Sequence, residues 1–206
     1  MVHLSSMVFI SLKELISEDE FRGQIFTSKH CSMNCGYQSL TFESFTTLNL
    51  LIPKGSSFLL AQILDYMAYQ SSLDGYTCPK CEMIETVVQY ERLSILPRTL
   101  ILHFVKFELK ENNFQKSNTK IKLDFNPITL PPQILGKEYG LDNTYYHVVG
   151  IMSHIGGVNG GHYYCYVKRD RRWYCMDDSV VTYVPDIDLE LDIESTPYVV
   201  FLRRIE

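Results

Sequence analysis

Six cysteines, a histidine behind paired glycines and a tandem of aspartates are the groups in this chain with chemistry to perform. In GGVNGGHYYCYVKRDRRWYCMDDSVV, residues 156–181, His162 follows Gly160 and Gly161, and Asp177 and Asp178 lie fifteen and sixteen positions on. An imidazole oriented by a carboxylate is a general base, and such a base ordinarily serves a nucleophile. HYYCYV and WYCMDD flank the five residues KRDRR, a connection compatible with a hairpin. Symmetric pairing about Asp170 sets His162 opposite Asp178, with Asp177 one step away. Opposed Cβ atoms lie roughly 4.5–5.5 Å apart, close enough for an imidazole–carboxylate hydrogen bond. A one-residue slip or a bulge exchanges the two aspartates, so spacing alone leaves both open. It also leaves open a plain surface histidine near a strand end and an Asp-Asp turn. Gly160 and Gly161 would let a backbone or an extended substrate approach His162 closely.

The cysteines fall into two groups. Cys31 and Cys35 form a C-x3-C pair and Cys78 and Cys81 a C-x2-C pair, each in a turn-like setting, CSMNCG and CPKC. Two close pairs are how a chain brings four thiolates to one tetrahedral zinc, and four sulfurs leave no open coordination position, so such a metal is structural. The insert from 36 to 77 exceeds ordinary finger spacings, which makes the site a clamp between distant segments. The C-x3-C pair is the weaker half, because its extra residue widens the turn, and buried thiols without metal are the competing reading. Cys165 lies three residues beyond His162, on the opposite face of a strand, and Cys175 sits between Tyr174 and Met176. Both read as small core hydrophobes.

These groups must be carried by a chain of 206 residues, 46% hydrophobic and 21% charged, with a formal net charge of -5. That describes a globular protein able to bury a sizeable core, and it argues against nucleic acid as the main partner. MVHLSSMVFISLKELIS lacks the basic start and unbroken apolar core of a signal peptide, and no run reaches the ~18 apolar residues of a membrane span. The expected location is cytoplasmic or nuclear, with thiols reduced.

Along the chain, residues 4–16 suit a short amphipathic helix, and TFESFTTLNLLIP alternates as a strand closed by Pro53. Residues 56–69 have Phe58, Ile63, Tyr66 and Met67 at helical spacing behind a capping serine. SSLDGY reads as a turn, ETVVQYERLSILP and RTLILHFVKFEL as strands, KENNFQKSNTK as a polar loop, and ITLPPQILGKEYGLDN as a loop with scattered hydrophobes. YYHVVGIMSHI, HYYCYVK, RWYCMDD and PYVVFLRR complete a β-rich second half. PDIDLELDIESTP, residues 185–197, alternates acidic residues as a strand with one solvated face would.

From about Phe21 to Arg204 the chain resembles the C-terminal two-thirds of a ubiquitin-specific protease catalytic domain. FRGQIFTSKHCSMNCG with CPKC is similar to the family's zinc-bearing fingers, and LPRTLILHFVKFEL to the strands that follow them. YYHVVGIMSHIGGVNGGHYYCYVK is similar to the segment with the catalytic histidine, and WYCMDDSVV and PYVVFLRR to the closing strands. The resemblance implies a β-rich α+β fold: a papain-like cysteine protease palm on an antiparallel sheet (about 96–206), a zinc-bearing fingers extension (about 21–95) and a largely absent thumb lobe. It implies His162 as general base, Asp177 as its orienting residue and Asp178 as a neighbour near the oxyanion. His154, Gly160 and Gly161 would lie in a loop over the tail of bound ubiquitin, the implied partner. The family's nucleophilic cysteine belongs to a box ahead of the fingers, and no cysteine precedes Cys31 here. The chain by itself is therefore expected to be inactive. Either it is part of a complete deubiquitinase or it is a pseudo-protease that binds ubiquitin. A zinc-stabilised interaction domain unrelated to ubiquitin is a third, weaker reading.

Overall fold

The computed structural model describes residues 20–31, 33, 35–68, 71–110, 113–157, 160–187 and 197–205. The helix expected over 4–16 and most of the acidic stretch 185–197 lie outside these residues. Strand β1 (Gly23–His30) turns back as β2 (Gln38–Phe45), and after Thr46 the chain continues as β3 (Thr47–Leu51). The single strand expected for TFESFTTLNLLIP is thus two, and they belong to different sheets: β2 pairs with β1, whereas β3 lies parallel to a later strand. A short β4 (Ser57–Leu59) leads into helix α1 (Leu60–Met67). The helix is shorter than its periodicity suggests because Phe58 is taken into β4. No serine caps it; the Leu59 amide donates to the Gln62 side chain instead, at 2.8 Å.

Strands β5 (Ser71–Thr77) and β6 (Ile84–Ile95) follow as a hairpin. SSLDGY is therefore strand and not turn, and its Gly75, at φ 72, sits where the register shifts between Leu73 and Tyr76. A glycine bulge inside a strand gives the same local signal as a turn. β7 (Thr99–Val105), β8 (Phe107–Lys110), β9 (Asn113–Lys116), β10 (Lys120–Lys122) and β11 (Ile128–Thr129) come next. The polar stretch KENNFQKSNTK accordingly contributes β9 and the first residue of β10 where a loop was expected. β12 (Tyr145–Gly157), β13 (Gly160–Arg169), β14 (Arg172–Asp177), β15 (Val180–Val184) and β16 (Pro197–Arg204) complete the chain.

Two larger sheets organise most of these elements, while β4 pairs with β10 and β8 with β9. One has four antiparallel strands in the order β2-β1-β6-β5; the other runs β15-β14-β13-β12-β16-β7-β3, with β11 also paired to β12. The core lies against one face of the larger sheet. In β7 the period of two buries Leu100, Leu102 and Phe104, and β3 adds Leu48 and Leu50. β12 and β16 contribute Val148, Ile151, Val200 and Leu202, and α1 closes over them with Leu60, Ile63 and Leu64. Tyr146, fully buried at this centre, keeps its hydroxyl satisfied by donating to the Pro97 carbonyl at 2.7 Å. Burial pushes its pKa up to about 12, so it stays a neutral donor. β12 is flanked on both sides by paired strands, and its far end carries the segment leading to His162.

Candidate functional site

The hairpin β13–β14 closes through Asp170 and Arg171, both at positive φ (50 and 65), as a two-residue turn of the kind that matches strand twist. The strands run up to Arg169 and Arg172, and the register pairs Tyr166 with Cys175 and Cys165 with Met176. That is one residue off the symmetric pairing about Asp170 expected from sequence, so His162 does not face Asp178. Continuing the register sets Tyr164 beside Asp177, and His162 lies two residues further along the same face. From there it reaches Asp177 diagonally, and His162 Nε2 is hydrogen-bonded to Asp177 Oδ1. Asp178, at φ 51 in the turn after β14, stays close enough that one ligand atom from each of the three residues lies within 4.8 Å of the others.

Both partners are about half exposed, His162 at 47% and Asp177 at 50% of their side-chain surface. The Asp177 hydrogen bond raises the His162 pKa most, its charge adds to this, slight desolvation opposes it, and Asp178 adds a smaller upward push. With Nε2 committed to the carboxylate, Nδ1 is the nitrogen left to exchange a proton. No cysteine is set beside it among the described residues. Cys165 is on the other face, half-buried, its thiol pushed up by desolvation. Cys175 shares the face of Asp177 but packs against the core, opposite Tyr166. That position is about 13 Å along the strand from His162.

β12 and β13 approach each other through glycines, with Gly156 paired to Gly161 and Gly157 to Gly160. Gly156 has φ 109, and a Cβ there would sit 2.6 Å from the Gly160 carbonyl oxygen. At Gly161 a Cβ would meet His154 Nε2 at 2.2 Å and the Ile155 carbonyl at 2.4 Å. The His154 ring is buried under this glycine, with the rings of Tyr163 and Tyr198 at 4.5 and 6.1 Å. Its Nδ1 lies 3.0 Å from the Lys116 ammonium. Lys116 had no signal in the sequence, where it is one lysine in a polar stretch. Lys106 is a second unforeseen group, only 1% exposed. Burial, then the Lys116 charge, lowers its pKa from 10.5 to about 7.

The four remaining cysteines meet at one end of the smaller sheet. Because β1 and β6 are antiparallel neighbours, the β1–β2 connection with Cys31 and Cys35 and the β5–β6 connection with Cys78 and Cys81 fall at the same end. Tight backbone bonds shape each connection: the Cys31 amide donates to Tyr37, and the Cys78 amide to Met83. The four sulfurs lie within 4.8 Å of one another, with Cys31–Cys81 at 3.8 Å and Cys35–Cys78 at 3.7 Å. A tetrahedron of sulfurs around zinc at about 2.3 Å has edges of about 3.8 Å, whereas a disulfide would need about 2.05 Å. None of the six cysteines is disulfide-bonded. Desolvation pushes the Cys78 thiol up, but the amides of Cys81 and Lys80 and the neighbouring thiols outweigh it and bring it down to about 7. The donor set therefore fits one tetrahedral zinc.

Residues 8–202 match the model of the family described as ubiquitin carboxyl-terminal hydrolase. The chain is 27% identical over 220 residues to ubiquitin carboxyl-terminal hydrolase 4 of Saccharomyces cerevisiae, covering 96% of this chain and 23% of that protein. It is 26% identical over 194 residues to ubiquitin carboxyl-terminal hydrolase Usp2 of Drosophila melanogaster, covering 90% of this chain and 20% of that one. Among solved structures, 90% of this chain superimposes, at TM-score 0.76 and 24% identity, on 41% of a chain in the SAGA DUB module Ubp8/Sgf11/Sus1/Sgf73 bound to monoubiquitin. That likeness places the fold: a β-rich α+β arrangement with one large sheet and a cysteine-bearing extension. The chain spans about a quarter or less of these two relatives' length.

Proposed function

This chain belongs to the ubiquitin carboxyl-terminal hydrolase family, and from that premise we propose that it supplies the general-base half of a thiol-dependent hydrolase acting on isopeptide bonds at the ubiquitin C-terminus. The observation that supports this is the His162–Asp177 pair, bonded through Nε2 at the open end of the larger sheet. In this reading Asp177 holds the imidazole in one orientation and favours its protonated form, and Nδ1 takes the proton of a cysteine thiol. The proton then passes to the departing lysine amine. Asp178 and the backbone around it polarise the region near the oxyanion. Residues 21–95 act as fingers, held by one structural zinc on Cys31, Cys35, Cys78 and Cys81, and residues 96–206 as the palm. Ubiquitin lies between them, its tail passing the glycine pairs of β12 and β13, in the cytoplasm or nucleus.

The nucleophile must come from a cysteine outside the six of this chain, none of which is placed for it. The 206-residue chain alone should form no covalent adduct with an electrophilic ubiquitin probe and should release no fluorophore from the ubiquitin C-terminus. Loss of the nucleophile costs about 10⁶ in turnover in a comparable triad. Adding the family's cysteine-bearing lobe, in cis or as a separate fragment, should restore both, and His162→Ala should abolish them again. An adduct on Cys165 or Cys175, or restored hydrolysis indifferent to His162→Ala, would overturn the reading. The second role to be tested is that of a ubiquitin-binding pseudo-protease. That role would be selected if the lobe-supplemented chain bound ubiquitin without cleaving anything.

A further inference from the structure

We propose that Lys116 is a positioning residue: it fastens the end of β12 from beneath and, through the His154 ring, sets the path of the backbone that presents His162. The inference rests on the reading of His162 as the general base. An ammonium has three protons to donate, and Lys116 Nζ has three acceptors around it. These are His154 Nδ1 at 3.0 Å, the His154 carbonyl at 2.9 Å and the Gly156 carbonyl at 2.9 Å. β9, which carries Lys116, thus grips both the side chain and the main chain of the segment that turns toward β13. Because Nδ1 accepts, the neutral His154 ring carries its proton on Nε2, and that nitrogen abuts Gly161, where a Cβ would come within 2.2 Å of it. The ring is therefore a wall against which the Gly161 backbone lies, one peptide bond before His162.

The environment agrees with this proton placement. Burial most strongly, then the charges of Lys116 and Lys106, hold His154 below the usual imidazole pKa, so the ring stays neutral beside the ammonium. Gly156 completes the arrangement. Its positive φ turns the Gly156 carbonyl onto Lys116 while its missing Cβ leaves room for Gly160 and Gly161. None of these contacts touches the proton-transfer atoms, so Lys116 acts through position alone.

The test compares wild type with Lys116→Met, Lys116→Gln and the conservative Lys116→Arg in the 206-residue chain. Amide hydrogen exchange at Gly156, Gly160, Gly161 and His162 and the ring ¹⁵N spectrum of His154 are read by NMR. Two charge-assisted bonds to carbonyls are lost in the Met and Gln variants, so exchange at these four amides should quicken about ten- to a hundredfold. The β7 and β16 amides should be unaffected, and the His154 ring should lose its single tautomer. Lys116→Arg should retain most of the protection. Unchanged exchange at the four amides, or an equal loss across the whole sheet, would overturn the inference. In the lobe-supplemented protein, Lys116→Met should lower kcat about tenfold with a smaller change in KM, and an unchanged kcat would likewise overturn it. If the supplemented wild type hydrolyses nothing, the proposed function has failed instead, and the exchange data alone judge the fastening.

Discussion

Lys106→Met probes the electrostatics beneath the His162 end of the larger sheet. Lys106 follows β7 and is almost wholly enclosed. It makes no ion pair with a described residue. Burial chiefly, and the Lys116 charge secondarily, bring its pKa from 10.5 to about 7. In the unfolded chain the amine titrates near its ordinary value of about 10.4. Between those two values the unfolded state holds a proton that the folded state has shed. Stability therefore rises with pH across the window from about 7 to about 10, at up to about 1.4 kcal/mol per pH unit, and is lost as pH falls toward 7. Relative to an uncharged side chain, the buried amine costs about 4 kcal/mol at pH 7 and about 2 kcal/mol at pH 9. Methionine has similar length and fills the same space without a charge. Urea unfolding should find Lys106→Met more stable than wild type at pH 7, with the advantage shrinking by about 2 kcal/mol at pH 9 and m unchanged. Titrating groups that do not couple to Lys106 cancel in that difference. A gap independent of pH would show that the lysine remains charged in the fold.

Two further outcomes follow from the cysteine cluster and the imidazole. The purified chain should carry about one zinc, and Cys78→Ser should lose it and lower the melting temperature, because metal binding and folding of the smaller sheet are linked; metal-free protein that melts unchanged would refute this. In an NMR titration Asp177→Ala should move the His162 midpoint downward, since that carboxylate is the main cause of its elevation, and Asp178→Ala should move it less. A larger shift from Asp178→Ala would exchange the two aspartates.

Period and spacing alone made much of this molecule legible. The alternation in TLILHFV predicts a strand with one buried face, and Leu100, Leu102 and Phe104 occupy it. Two cysteine pairs predict a common site, and their sulfurs converge. These features are local, or depend on a residue type with few uses, so the linear order carries them. Where local chemistry has two solutions, residue order alone does not choose between them. SSLDGY has the composition of a turn, yet neighbouring β6 offers hydrogen bonds that draw it into a strand with a bulge at Gly75. KENNFQKSNTK is polar enough for a loop, yet pairing with β8 makes part of it β9.

At the candidate site the division is sharper. The sequence by itself indicated a hairpin that could bring His162 to an aspartate of the tandem, because the two segments are fifteen residues apart and flank a short connection. It could not choose the aspartate, because a one-residue change of register moves every side chain to the other face. The two-residue turn at Asp170 and Arg171 made that choice, setting Asp177 on the face of His162. Lys116 and His154 are 38 positions apart, and nothing in either segment marks the other. Only the packing of β9 beneath the end of β12 brings an ammonium to three acceptors. Its three bonds depend on where three atoms lie in space, and residue order carries no record of that.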